Sequence, residues 1–255
     1  MKVFTSNKTA AYCFSTVFLF AVWEAAAHTV NSPLILPFPG EVFKAFLLLC
    51  REMSFWQHVG ATFMRCMVSF ILSVVLGTGI GILCGASSFF KNFFSFPLEI
   101  IRATPVVSFI LLALFWFTSS QVPVFVSVLM TLPVMTTATA QGFAKVDSNL
   151  DAMAHVYAFT GKQTFRWITL PSVLPFFLSG AVSAFGLTWK VVAAGEVLSL
   201  PAKGVGTLMQ TAQVHLETAD VAAVTFVIVV LSFGLEKLFA VIVTRNVKRT
   251  GDSVI

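Results

Sequence analysis

The Gly-Lys step of the sequence, Gly161-Lys162, is followed by Gln163 and lacks the upstream glycine of a P-loop, so it makes no phosphate cradle. His28, His58, His155 and His215 are scattered without an i, i+4 pair, and Cys13, Cys50, Cys66 and Cys84 contain no C-x-x-C step. That arrangement suits neither a zinc site, nor a disulfide framework, nor a nucleophile–base triad, and an enzyme reading is poor. Gly77, Gly79, Gly81 and Gly85 imitate a dinucleotide fingerprint, but Ile82 stands where the last glycine should fall. The pairs Gly77/Gly81 and Gly81/Gly85 are instead small-xxx-small steps that let helix backbones approach closely. What remains is charge inside apolar runs. Such groups face protein or water, which makes each a candidate for a solute pathway. Lys190, beside Trp189, sits deep in an apolar stretch where an ammonium could draw in an anion, and Glu196 lies six positions on. The alternative for Lys190 is snorkelling or pairing within a bundle. Glu99 and Arg102, spaced i, i+3, are expected to satisfy one another, and Glu236 and Lys237 to anchor a helix end.

These residues must be positioned by elements suited to an apolar solvent. The chain has 255 residues, 57% hydrophobic and only 11% charged, with 28 phenylalanines. Soluble domains carry about 25% charged residues. With a mean hydropathy of +0.91, the reading is an all-α membrane protein of about six transmembrane helices. Spans are expected at Thr9 to His28, Ala61 to Ala86, Phe93 to Phe117, Val122 to Phe143, Val173 to Leu200 and Ala219 to Thr244. The chain thus divides into a first helix (1–28), an outer loop (29–60), a membrane core (61–244) and a tail (245–255). The first stretch could also be a cleaved signal peptide, since Lys2 and Lys8 precede it and Ala25-Ala26-Ala27 offers a cleavage site; a retained helix is preferred.

An even number of spans puts both termini on one side. Placing them inside gathers Lys2, Lys8, Lys91, Lys145, Lys162, Arg166, Arg245, Lys248 and Arg249 there, against Lys44, Arg51 and Lys203 outside. The net charge of +5 therefore reflects membrane orientation. No basic run is interleaved with base-stacking aromatics, so a nucleic-acid partner is not expected.

Two connections are patterned. In the outer one Val42, Ala45, Phe46 and Leu49 repeat as the apolar face of a helix, expected to lie along the membrane surface or to act as a packing lid. In the inner one, 146–171, Ser148 and Asp151 resemble a capping box, and Leu150, Ala154, Tyr157 and Ala158 share a face. Gly161 is expected to end that helix at positive φ, and Leu170-Pro171 to open the next span. The product is two short helices joined at a glycine elbow.

The string DAMAHVYAFTGKQTFRWITLPSVLPFFLSG resembles the EAA loop of permease subunits of ATP-binding-cassette importers, with Asp151, Ala152, Gly161, Leu170 and Pro171 in the motif's places. Asp151 replaces the usual glutamate, and Met153 the second alanine. LPFPGEVFKAF, IIRATPVVSFILLALFWF and FGLTWKVVAAGEVL with Gly204-Val205-Gly206 are similar to the nitrate/sulfonate/taurine branch of that family. The resemblance implies the type I importer permease fold with a cytoplasmic coupling helix, multi-pass in the bacterial inner membrane. It implies a homodimer, a cytoplasmic ATPase dimer that binds the ATP, and an extracytoplasmic solute-binding protein. Leu150, Met153, Ala154 and Tyr157 would be the contacts buried by the ATPase, with Asp151 capping and orienting their helix. Closure of the ATPases would pass through the elbow to the fourth and fifth spans and switch the cavity between permease copies. Trp189, Lys190 and Glu196 are the pathway candidates. The implied solute is a small anion such as a sulfonate, taurine or nitrate, or else a vitamin precursor. An ion-coupled secondary transporter would show two similar halves with paired intramembrane acids, which the sequence lacks. A membrane scaffold would leave the 151–171 string without a purpose.

Overall fold

Three helices rich in small residues pack as the centre of the molecule, and the rest of the chain is arranged around them. The computed structural model describes residues 3–251, with side chains for 10–150 and 152–242. The side chain of Asp151 and the basic residues expected near the termini, Lys2, Lys8, Arg245, Lys248 and Arg249, lie outside those described. In order the helices are α1 (Val3–Val30), α2 (Pro39–Arg51), α3 (Met53–Ala86), α4 (Ser88–Ala103), α5 (Val106–Ala113), α6 (Val122–Ala144), α7 (Ser148–Val156), α8 (Gly161–Thr164), α9 (Leu170–Ser199), α10 (Val205–Val214) and α11 (Thr218–Gly251), with a wide π turn at Phe165–Thr169. No strand occurs among the described residues.

The centre is α3, α6 and α9. A Cβ at Gly77 would stand 2.5 Å from Met135 Cβ, one at Gly81 2.6 Å from Thr139 Cβ, and one at Gly85 2.5 Å from Phe143 Cβ. The glycine stripe of α3 therefore lies against α6 at backbone distance, as the spacing predicts. On the other face of α6, Gly180 and Gly195 of α9 admit Ala138 and Pro123 in the same way. Hydroxyls supplement this packing: Ser73 and Thr131 hydrogen-bond each other across the α3–α6 seam, one donating there and the other donating to its own helix. Valine at Gly81 would drive a branched side chain into both Thr139 and the Thr136 carbonyl oxygen, which an added Cβ alone would approach to 2.9 Å. The expected cost is about 1–3 kcal/mol, measurable as a lower unfolding midpoint of the detergent-solubilised protein.

Among the described residues five helices are long and apolar enough to cross a membrane, and α4 and α5, bent by 94° at their break, bring the number to six where the pair is counted as one span. The span expected at Phe93 to Phe117 falls on this pair of helices, with a sharp break inside it. Its cause is local: Thr104, preceding a proline, is held extended at φ −80°, ψ 130°, and Pro105 has no N–H to continue the helix. The helical run 161–199 is continuous for 39 residues. At 1.5 Å per residue that is roughly 60 Å, twice the hydrocarbon thickness, so one end must project well beyond the membrane. Leu170 and Pro171 open α9 as expected, Pro171 lying in its first turn, although the helical run already leads into it from α8. The preceding π turn, closed by Leu170 N–H to the Phe165 carbonyl, accommodates the missing donor.

The apolar face of α2 packs on α11: Val42 and Ala45 form a buried cluster with Ala223, flanked by Phe46, Leu49 and Trp23. The outer helix is therefore a packing element. Phe70, Phe185 and Phe239 join α3, α9 and α11 through ring contacts of 5.1–5.5 Å. The stretch of α1 from Ala10 to Val30 stays almost bare of intrachain cover.

Candidate functional site

The elbow between α6 and α9 is built from two capped turns. Asp147, one residue earlier than the expected Ser148, caps α7 by accepting the Asn149 N–H at 2.8 Å. The helix ends in a Schellman motif: Ala158 turns left-handed at φ 53° and the Phe159 N–H reaches the Ala154 carbonyl at 2.9 Å. Gly161, expected at positive φ, instead opens α8. Thr160 caps that turn, its N–H donating to Gln163 Oε1 at 2.8 Å while its hydroxyl accepts the Gln163 N–H. A Cβ at Gly161 would meet nothing within 4 Å.

This arrangement leaves apolar side chains in the open. Met153 is 42% and Tyr157 70% exposed, and Leu150, Val156, Phe159, Phe165, Trp167 and Leu170 are also uncovered; Ala152 and Pro171 are exposed. Ala154 is the exception at 2% exposure. It is closed in by its own chain at the floor of a notch of about 300 Å³ that Phe159, Gly161 and Phe165 also line. Ala154 therefore shapes the elbow from within and offers nothing to a partner.

At the opposite end of α9 lies a buried polar lock that the sequence reading missed. Glu196, 0% exposed, accepts from Arg65 Nη1 at 2.6 Å, from the Thr62 hydroxyl at 2.9 Å and from the Gly206 N–H at 3.0 Å. Arg65 Nη1 also donates to the Lys203 carbonyl at 2.7 Å, Thr62 accepts the Val205 N–H, and His58 Nδ1 accepts the Gly204 N–H at 3.0 Å. A Cβ at Gly204 would stand 2.6 Å from the Glu196 carboxyl carbon, which explains a glycine there. Glu196 thus ties α3, α9 and the loop before α10 together and is sealed from any pathway. Opposite charges inside two apolar runs were the available signal.

Trp189 is likewise enclosed, 2% exposed among Cys66, Phe185 and Val192. Lys190 is exposed on another side of α9, and lines neither of the polar cavities nearby. Those cavities run along α6. The larger, about 530 Å³, is lined by Lys91, Glu99, Arg102, Thr137 and Gln141 among others. The second, about 360 Å³, shares Arg102, Thr137 and Gln141 and adds Ser179 and Ser183 of α9. Arg102 does not pair with Glu99 as expected: its Nη2 donates to the Pro133 carbonyl at 2.9 Å and to the Thr137 hydroxyl of α6.

The arrangement is that of a membrane protein with a buried polar lock at one end, an exposed apolar elbow at the other and a polar furrow along α6 that opens towards the elbow side. Residues 77–251 match the family profile described as binding-protein-dependent transport system inner membrane component. The chain is 28% identical over 229 residues to the taurine transport system permease protein of Escherichia coli (strain K12), covering 86% of this chain and 82% of that one. It is 29% identical over 234 residues to an aliphatic sulfonates transport permease protein of the same strain, covering 91% and 88%. Its fold is similar to a chain of the MetNI methionine ABC transporter in inward-facing conformations, with TM-score 0.61 and 17% identity over 75% of this chain and 93% of that one.

Proposed function

The chain belongs to the family of binding-protein-dependent transport system inner membrane components, and from that premise we propose that it is the permease subunit of an ATP-binding-cassette importer for a small sulfonate-like solute. The observation that carries the mechanism is the elbow. Two helices with satisfied caps hold a cluster of uncovered apolar side chains, beyond the apolar length of α9. Side chains of this kind in water mark a docking site. The occupant is an ATPase subunit, contacted by Leu150, Ala152, Met153 and Tyr157, with Asp151 in the first turn of α7 and Gly161, Leu170 and Pro171 shaping the approach.

The chain itself hydrolyses nothing. Its contribution is to bind, to pass on force and to switch access. ATP-driven closure of two ATPases would move two elbows of a permease homodimer, and the continuous 161–199 run would carry that movement to the α10 end, where an extracytoplasmic binding protein delivers solute. Basic side chains at the elbow end, among them Lys145, Lys162 and Arg166, favour a cytoplasmic elbow and cytoplasmic termini. The relatives named for taurine and sulfonates support a sulfonate-like solute.

Single cysteines test the placement, in a background lacking the four native cysteines. Cysteine at Tyr157, 70% exposed, is expected to crosslink to the co-purified ATPase and to resist a membrane-impermeant maleimide added outside. Cysteine at the exposed His215 is expected to label from outside. The reverse labelling pattern, or a purified assembly without an ATPase, sinks this reading.

A further inference from the structure

On α4, Glu99 and Arg102 lie one helical turn apart and line the same cavity of about 530 Å³, yet form no ion pair. Opposite charges at this spacing ordinarily meet, their Cβ atoms being about 5–6 Å apart. Here α6 takes the guanidinium: Arg102 Nη2 is held by the Pro133 carbonyl oxygen at 2.9 Å and by the Thr137 hydroxyl. Pro133 is the twelfth residue of the 23-residue α6, a full crossing, so this anchor stands near mid-depth. Glu99 is left exposed to the cavity, with no hydrogen bond or cation among the described side chains. The same cavity reaches Ser87, Ser88 and Lys91 at the α3–α4 turn, so Glu99 faces a polar opening in which a cationic group can meet its carboxylate. The site lies beside the 94° break between α4 and α5. Arg102, Thr137 and Gln141 are shared with the second cavity, so the polar furrow continues to Ser179 and Ser183 of α9.

We propose that Glu99 and Arg102 are a two-point receptor for a small zwitterion on its way through the permease, Arg102 taking the anionic end and Glu99 the ammonium. The proposal rests on the importer reading and refines its substrate class. A simple inorganic anion would be drawn by Lys91 and Arg102, the other charges lining the cavity, and repelled by Glu99. A solute that carries both an anion and an ammonium can meet both charges and leaves neither unmet. The Thr137 and Pro133 contacts keep Arg102 from collapsing onto Glu99, which holds the receptor open.

The test uses the ATP-free permease–ATPase complex in nanodiscs, without binding protein, titrated with taurine and with isethionate, which carries a hydroxyl in place of the ammonium. Binding is read by saturation-transfer NMR. Wild type is expected to bind taurine about tenfold more tightly than isethionate, the scale of one charge-assisted contact. Glu99→Gln should abolish that preference, with isethionate bound at least as tightly as by wild type because the repelling carboxylate is gone, and Glu99→Asp should retain it. Arg102→Gln should weaken both ligands. Equal affinities in wild type, a preference that survives Glu99→Gln, or no binding of either ligand overturns the zwitterion receptor. The importer reading fails separately, if ATP hydrolysis by the same complex does not respond to a binding protein.

Discussion

Valine in place of Gly161 is expected to lower binding-protein-stimulated ATP hydrolysis and solute uptake by about tenfold or more while the permease stays as stable as wild type. The two halves of that statement rest on different physics. Within the chain, an added Cβ at Gly161 meets nothing within 4 Å, and the residue does not adopt positive φ. The helix containing it is four residues long and capped by Thr160 and Gln163, neither of which the substitution touches. Helix propensity adds no penalty, since valine is a better helix former than glycine. Against an ATPase seated on the elbow, the same methyl groups are an overpacking defect of about 1–3 kcal/mol, which at 1.4 kcal/mol per decade reaches tenfold and beyond. Unfolding midpoint and stimulated hydrolysis, measured on the same preparation, separate the two. Unchanged hydrolysis would mean that Gly161 faces no partner, and a falling midpoint would mean that the effect is internal to the permease.

The elbow was legible because its signals are local. Capping residues, a leucine–proline pair and an apolar face lie within about two dozen residues, and the structure shifts them by one to three positions. Asp147 replaces Ser148 as the cap, and Ala158 replaces Gly161 at positive φ. The second shift was invisible because alanine pays only about 1–2 kcal/mol for a left-handed conformation, which the Phe159-to-Ala154 hydrogen bond helps to offset. The break inside the third expected span was missed for a different reason. Hydropathy averages over Thr104 and Pro105, although the residue before a proline is where a helix should be doubted. Adjacent Trp189 and Lys190 sit about 100° apart on one helix, so apolar density could not tell which was buried. Glu196 and Arg65 are 131 positions apart, and only tertiary packing could pair them.

That pairing makes the second large prediction. Arg65→Met is expected to destabilise the permease by about 3–5 kcal/mol, because it strands a carboxylate that is 0% exposed and whose remaining donors, Thr62 and the Gly206 N–H, carry no charge. Glu196→Gln should cost less. The amide oxygen can still accept from Gly206, and Arg65 keeps the Lys203 carbonyl and some contact with water, its side chain being 13% exposed. In the double variant the uncompensated charge is gone, so its loss should fall short of the sum of the single losses by about 1–3 kcal/mol. Chemical unfolding of the four proteins in one detergent completes the cycle, and additivity within error would show that the pair is not coupled. On the proposed function the lock would also have a mechanical role that distinguishes it from the elbow. The continuous 161–199 run carries the exposed elbow at one end and is pinned through Glu196 to Arg65 of α3 and Gly206 of α10 at the other. A push at one end becomes a movement of the whole crossing only while the far end is held. Arg65→Met should therefore lose uptake and stability together, where Gly161→Val loses uptake alone.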